Sequence, residues 1–142
     1  MGAWSHDIMG GDTPLDWLSF ICTSMGYDFD GDNYGEGENF FGYNLSKDVV
    51  NEKLHLAIDT VKNDSTMGSY SHDIGWFVLG AVIMRTGADM PEPVRNTILS
   101  AVKDYPNLST WSAQEKRKYY LDDLYNKVKD YNGTPTKLEE EY

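Results

Sequence analysis

The tetrapeptide Ser-His-Asp-Ile occurs twice in the chain, at residues 5–8 and 71–74. Imidazole nitrogen and carboxylate oxygen are ligands that zinc and related divalent ions accept, so two His-Asp pairs brought together would make a metal site. The two copies lie 66 positions apart, and that spacing predicts no proximity. Asp73 has a simpler use at the positive end of a helix, and Asp7 in a turn. Ser5, His6 and Asp7 also name the members of a hydrolytic triad. Adjacent residues cannot, however, face one another as nucleophile, base and orienter. No Gly-x-Ser-x-Gly elbow or Gly-rich phosphate loop accompanies them.

A second constellation, Asp28-x-Asp30-x-Asp32, opens like a calcium loop, whose sixth position should be Gly and whose twelfth should be Glu. Those positions hold Asn33 and Asn39, and a count begun at Asp30 reaches Gly35 but then Phe41. A solvated acidic loop explains the pattern better, and neither a metal nor a cofactor is expected. The single cysteine, Cys22, excludes an internal disulfide and a Cys-rich zinc site. It sits on the apolar side of a helix with no cation nearby to activate it, so it reads as core. His55, between Leu54 and Leu56, reads as a helix-edge residue.

The strongest functional signal is electrostatic. Residues 1–46 hold eight acids and no Lys or Arg, whereas residues 47–142 hold 15 acids against 12 bases, so the first third carries −8 of the net −11. Within it, residues 26–45 combine five glycines, five acids and six aromatics with no helical period, which predicts a long loop or a poorly formed hairpin. Loops of that length inside compact domains are uncommon and usually functional or mobile. An acidic face speeds encounter with a basic partner and repels nucleic acid. Interleaved rings can anchor such a partner, or they can pack on the domain while the acids merely solvate the loop.

The elements that must position these residues are helical. Residues 70–87 read as one buried helix, capped by Ser71, with Asp73 on its dipole and Gly87 as its left-handed end. Its run from Ile74 to Met84 has no charged residue, so other helices must cover it on several sides. A membrane span would need about 20 apolar residues, and Asp73 and Arg85 interrupt this run. Gly75 and Gly80 imply a close neighbour, with Trp76 and Phe77 as the expected rings. Thr13-Pro14 predicts a helix start, running to about Met25 with Gly26 ending it. Ser46 predicts the cap of a second helix ending near Asn63. A fourth helix opens around Pro91 and Pro93 and stops before Tyr105-Pro106. A fifth begins with the capping box from Ser112 to Glu115 and ends at Asn132-Gly133. The fold expected is therefore all-α: about five helices around a central apolar helix (71–86), with an acidic-aromatic loop (26–45). Residues 1–133 form one domain, with Trp4 and Ile8 tucked beneath it, and 134–142 a polar, acidic, frayed tail.

The opening Met1-Gly2-Ala3-Trp4-Ser5, followed by Gly11-Asp12-Thr13-Pro14-Leu15-Asp16-Trp17, resembles a bacterial and phage family catalogued as a domain of unknown function. Its members typically begin Met-Gly-x-Trp-Gly, followed by Asn-Asp-Asp and an acidic-aromatic helix start. The order of an Ala-containing central helix (81–86), Gly87, Met90-Pro91 and a later Trp111 is similar as well. Ser5 stands where Gly is usual, and 26–45 looks like an insertion. The resemblance implies a small helical fold and supplies no activity.

The reading that follows is a non-enzymatic interaction or inhibitor protein, cytoplasmic, with no secretory signal after Met1, that binds a basic protein and mimics nucleic acid toward it. Its binding residues would be Asp28, Asp30, Asp32, Tyr34, Glu36, Glu38, Phe40 and Phe41. The alternative is a small-molecule or metal-binding protein with a pocket between the N-terminal arm and the central helix, formed by Trp4, His6, Asp7, His72 and Asp73.

Overall fold

The computed structural model describes residues 8–29, 39–64, 72–105 and 114–139. In chain order the elements are α1 (Asp12–Ser24), a hairpin of β1 (Asn39–Phe40) and β2 (Tyr43–Asn44), α2 (Lys47–Asn63), α3 (His72–Thr86), α4 (Glu92–Lys103) and α5 (Gln114–Asp130). A helical run without charge has no face to offer water, and residues 74–84 of α3 are buried without exception. Each of the other four helices packs against α3. The architecture is all-α, with the core concentrated around Phe77, Leu79, Ile83 and Met84. Burying each such side chain contributes about 1.5–3 kcal/mol relative to exposure.

The surrounding helices are amphipathic and turn one stripe inward. Val50, Leu54, Ala57 and Val61 do so on α2, and Val94, Ile98 and Ala101 on α4. On α5 the buried residues are Leu121, Leu124 and Val128. Both expected glycine ends are present, because Gly26 (φ 88°) and Gly87 (φ 77°) occupy the left-handed region. At each, two amides turn back to carbonyls three and five residues earlier: Gly26 to Thr23 and Tyr27 to Cys22, Gly87 to Met84 and Ala88 to Ile83. That pattern satisfies carbonyls a helix end would otherwise strand.

Three expectations need correction. First, α1 starts earlier than Thr13: the Gly11 carbonyl already accepts the Leu15 amide, and Gly11 is the N-cap without a side-chain bond. Pro14 is then the third helical residue, where an absent N–H still costs nothing. Second, the ring against Gly75 is Trp17 of α1, 3.0 Å from where a Cβ would stand, and not Trp76 or Phe77. Gly80 faces Ile98 of α4 and Val128 of α5. Third, residues 134–139 are not a frayed tail. The Thr136 amide bonds to the Met84 carbonyl at 2.6 Å, and Leu138 packs against the core. The helix caps expected at Ser71 and Ser112, and the arm residue Trp4, lie outside the described residues.

Candidate partner-binding face

The acidic-aromatic stretch leaves α1 through the left-handed Gly26 and is clasped at its base. The Tyr27 hydroxyl accepts the Ser46 amide at 2.8 Å and donates to the Ser46 carbonyl at 3.3 Å. Ser46 in turn caps α2, its hydroxyl accepting from the Val49 amide. The two ends of the stretch are therefore pinned together whatever lies between them. At its far side β1 pairs with β2 in antiparallel register, Asn39 opposite Asn44 and Phe40 opposite Tyr43. The two linking residues, Phe41 and Gly42, both have positive φ, at 50° and 97°. A two-residue type I′ turn requires that, and Asn-Gly is its favoured sequence. A bulky Phe in the first of those positions is an outlier.

The rings divide between core and surface. Phe40 and Tyr43 are buried, Phe41 is half-buried against Phe40 at 4.9 Å, and Phe29 is 61% exposed. Phe40 is not an available anchor, contrary to the expectation above, because it is packed in the core with the Arg85 guanidinium 5.1 Å from its ring centre. Among the described rings of this stretch, Phe29 is the one left largely exposed. Its ring stands edge-on to Tyr43 and fills the space a Cβ on Gly42 would need. The sequence offered a signal for this, since a glycine at the turn leaves room for a neighbouring ring, but it did not say which ring. Asp28 beside it is exposed. Asp30, Asp32, Tyr34, Glu36 and Glu38 lie outside the described residues.

Many of the bases that could offset this acidity are engaged within the fold. Arg95 donates to the carbonyls of Val128 and Lys129 at the end of α5. Lys118 pairs with Asp122, and Lys127 with Asp123. Lys103 lies over the ring of Tyr125, and the buried Arg117 lies over Tyr105.

Of the alternative pocket, Trp4, His6 and Asp7 lie outside the described residues. His72 and Asp73 open α3, but His72 Nε2 donates to the Asp64 carbonyl at 2.8 Å, and its ring stands 5.5 Å from that of Trp17. An Nε2 that carries a proton is not a metal ligand. Burial, followed by repulsion from Asp104, raises the Asp73 carboxyl above the ordinary range, and His72 opposes the shift. Among the described residues, no three His, Cys, Asp or Glu side chains are grouped so as to hold a metal ion. A cavity does separate the start of the chain from α3. It is lined by Ile8, Met9, Arg85 and Ala81, and Ala81, the nearer of the two α3 residues to His72, is nine residues along the helix from it, or about 13 Å. Its volume of about 20 Å³ accommodates roughly one water molecule.

Among the described residues no helix is long and apolar enough to cross a membrane. No family model, curated protein or solved structure matches the chain.

Proposed function

We propose that the protein is a non-enzymatic, cytoplasmic interaction module that uses its acidic-aromatic face to bind a basic protein, with inhibition by nucleic-acid mimicry as its mode of action. Phe29 carries the reading. A chain that buries Phe40 and Tyr43 from the same stretch leaves Phe29 at 61% exposure. It does so inside a segment where the sequence supplies five acids and no base. An exposed ring in a segment whose charges are all of one sign suits a partner that brings cations together with an apolar or cationic surface for the ring. Phe41 supports the same reading, since an Asn there would relax the turn and the chain keeps a ring instead.

The test is affinity capture from a lysate at two salt concentrations, followed by binding kinetics with the captured protein. Neutralising Asp28, Asp30, Asp32, Glu36 and Glu38 together should slow association and flatten its salt dependence. Phe29→Ala should act on dissociation instead. Unchanged association at low salt after neutralisation would sink the proposal.

A further inference from the structure

The segment 134–139 lies across the protein as an extended strap, held largely through its own main chain. The Thr136 amide donates to the Met84 carbonyl at 2.6 Å, the Lys137 carbonyl accepts from Lys127 Nζ at 2.7 Å, and the Glu139 amide donates to Asp123 Oδ2 at 2.8 Å. Two side chains add to this. Leu138 is half-buried over the slot floored by Ile8, Met9, Phe40 and Ala81, and the Glu139 carboxylate lies 4.0 Å from Lys127. Arg85 lines the same slot. Arg85 has its guanidinium over the Phe40 ring, and Lys127, paired with Asp123 at 3.0 Å, stands beside the strap at its Lys137 and Glu139 end.

Main-chain recognition with one apolar and one acidic position is how extended peptides are bound, because backbone groups supply affinity and a single pocket supplies selectivity. The strap leaves α5 through Gly133, a left-handed residue, and Thr134, Pro135, Lys137 and Glu139 are exposed. Lifting it would uncover the slot without unwinding a helix. We infer that residues 134–139 are a resident pseudo-ligand in a peptide groove between α3 and α5. The occupant that displaces them is an extended segment of a partner protein carrying an aliphatic residue followed by an acid. The slot meets the acidic-aromatic stretch at Phe40, which lines its floor and stands opposite Tyr43 in the hairpin.

The probe is a fluorophore-labelled peptide, Gly-Thr-Pro-Thr-Lys-Leu-Glu, added to the full chain. In the double variant Thr136→Pro, Leu138→Ala the strap loses one amide donor and its apolar contact. The variant should bind the probe at least tenfold more tightly than the native chain, and a probe with Ala in place of Leu should not bind. A cooperatively folding variant that binds no better than the native chain overturns the inference. If the variant does not fold, hydrogen exchange on the native chain decides: the Thr136 amide should exchange at least 100-fold faster than the α3 amides. Exchange only at the global unfolding rate shows that the strap does not lift, and overturns it. A native chain that elutes as a dimer with exchanged straps assigns the groove to a second copy and overturns the partner assignment.

Discussion

Gly75 and Gly80 lie on one helix, one and a half turns apart, and differ in what a methyl group would meet. At Gly75 it would meet Cδ2 and Cε2 of the Trp17 indole, both at 3.0 Å, and a fully buried ring has nowhere to go. At Gly80 it would meet Cδ1 of Ile98, the free end of a flexible chain. Gly→Ala inside a helix gains about 1 kcal/mol of propensity, whereas overpacking costs about 1–3 kcal/mol. Gly75→Ala should therefore lower the melting temperature while Gly80→Ala leaves it near the native value, and Gly80→Leu should lower it by more than either. Equal melting temperatures for the two Ala variants would refute the difference in packing. Asp73 allows a pH test. Its carboxyl holds a proton in the folded state at pH values where the unfolded chain has lost it. Ionisation then costs stability as pH rises from about 3.9 through the raised folded value, and the penalty stays constant above it. Asp73→Asn should melt higher than the native chain at pH 7, with the gap closing as the solution is brought below about pH 4. Burial alone pushes the Cys22 thiol up to about 12, which agrees with its reading as an inert core residue.

At the level of elements, the end of α3 is the junction on which the C-terminal third depends. Gly87 has φ 77°, and a Cβ there would stand 3.1 Å from the Gly133 carbonyl and 2.9 Å from the Pro135 ring. Tyr131, the first residue after α5, shares its hydroxyl proton between the carbonyls of Ile83 and Ala88. Tyr131→Phe keeps the ring and removes that bond, leaving two buried carbonyls with one donor fewer. The expected cost is about 1–2 kcal/mol, read from urea unfolding with an unchanged slope. Gly87→Ala meets both backbone strain and a steric clash. It should cost at least as much, and should also raise the exchange rate of the Thr136 amide. If Tyr131→Phe is neutral, the hydroxyl is not the clamp described here.

For the whole molecule, the decisive quantity is net charge. A chain at −11 repels itself when compact, and added salt screens exposed charges beyond about 10 Å at 0.1 M. Raising sodium chloride from 10 to 200 mM should increase the melting temperature, because the long-range repulsion removed outweighs the exposed pairs weakened. The pair of Lys118 with Asp122 is of that exposed kind and is worth little. A melting temperature that falls with salt would mean that ion pairs, and not repulsion, dominate the surface balance.

The sequence by itself determined the all-α class and the helix order, because those follow from local chemistry that a single segment carries. The uncharged run in α3, the inward stripes of α2 and α4, the cap at Ser46 and the left-handed glycines at 26 and 87 each need no knowledge of a neighbour. Tertiary structure decided what depends on pairs distant in the chain. Period and composition place a ring on a helix or in a loop but do not say what it meets. Trp17 and not Trp76 therefore fills the gap at Gly75, Phe40 goes to the core while Phe29 stays outside, and Tyr27 clasps Ser46. The strap escaped the sequence reading for the same reason. It is held by main-chain groups of Thr136, Lys137 and Glu139, and every residue except proline presents the same amide and carbonyl, so side-chain patterning carries no trace of where they bind.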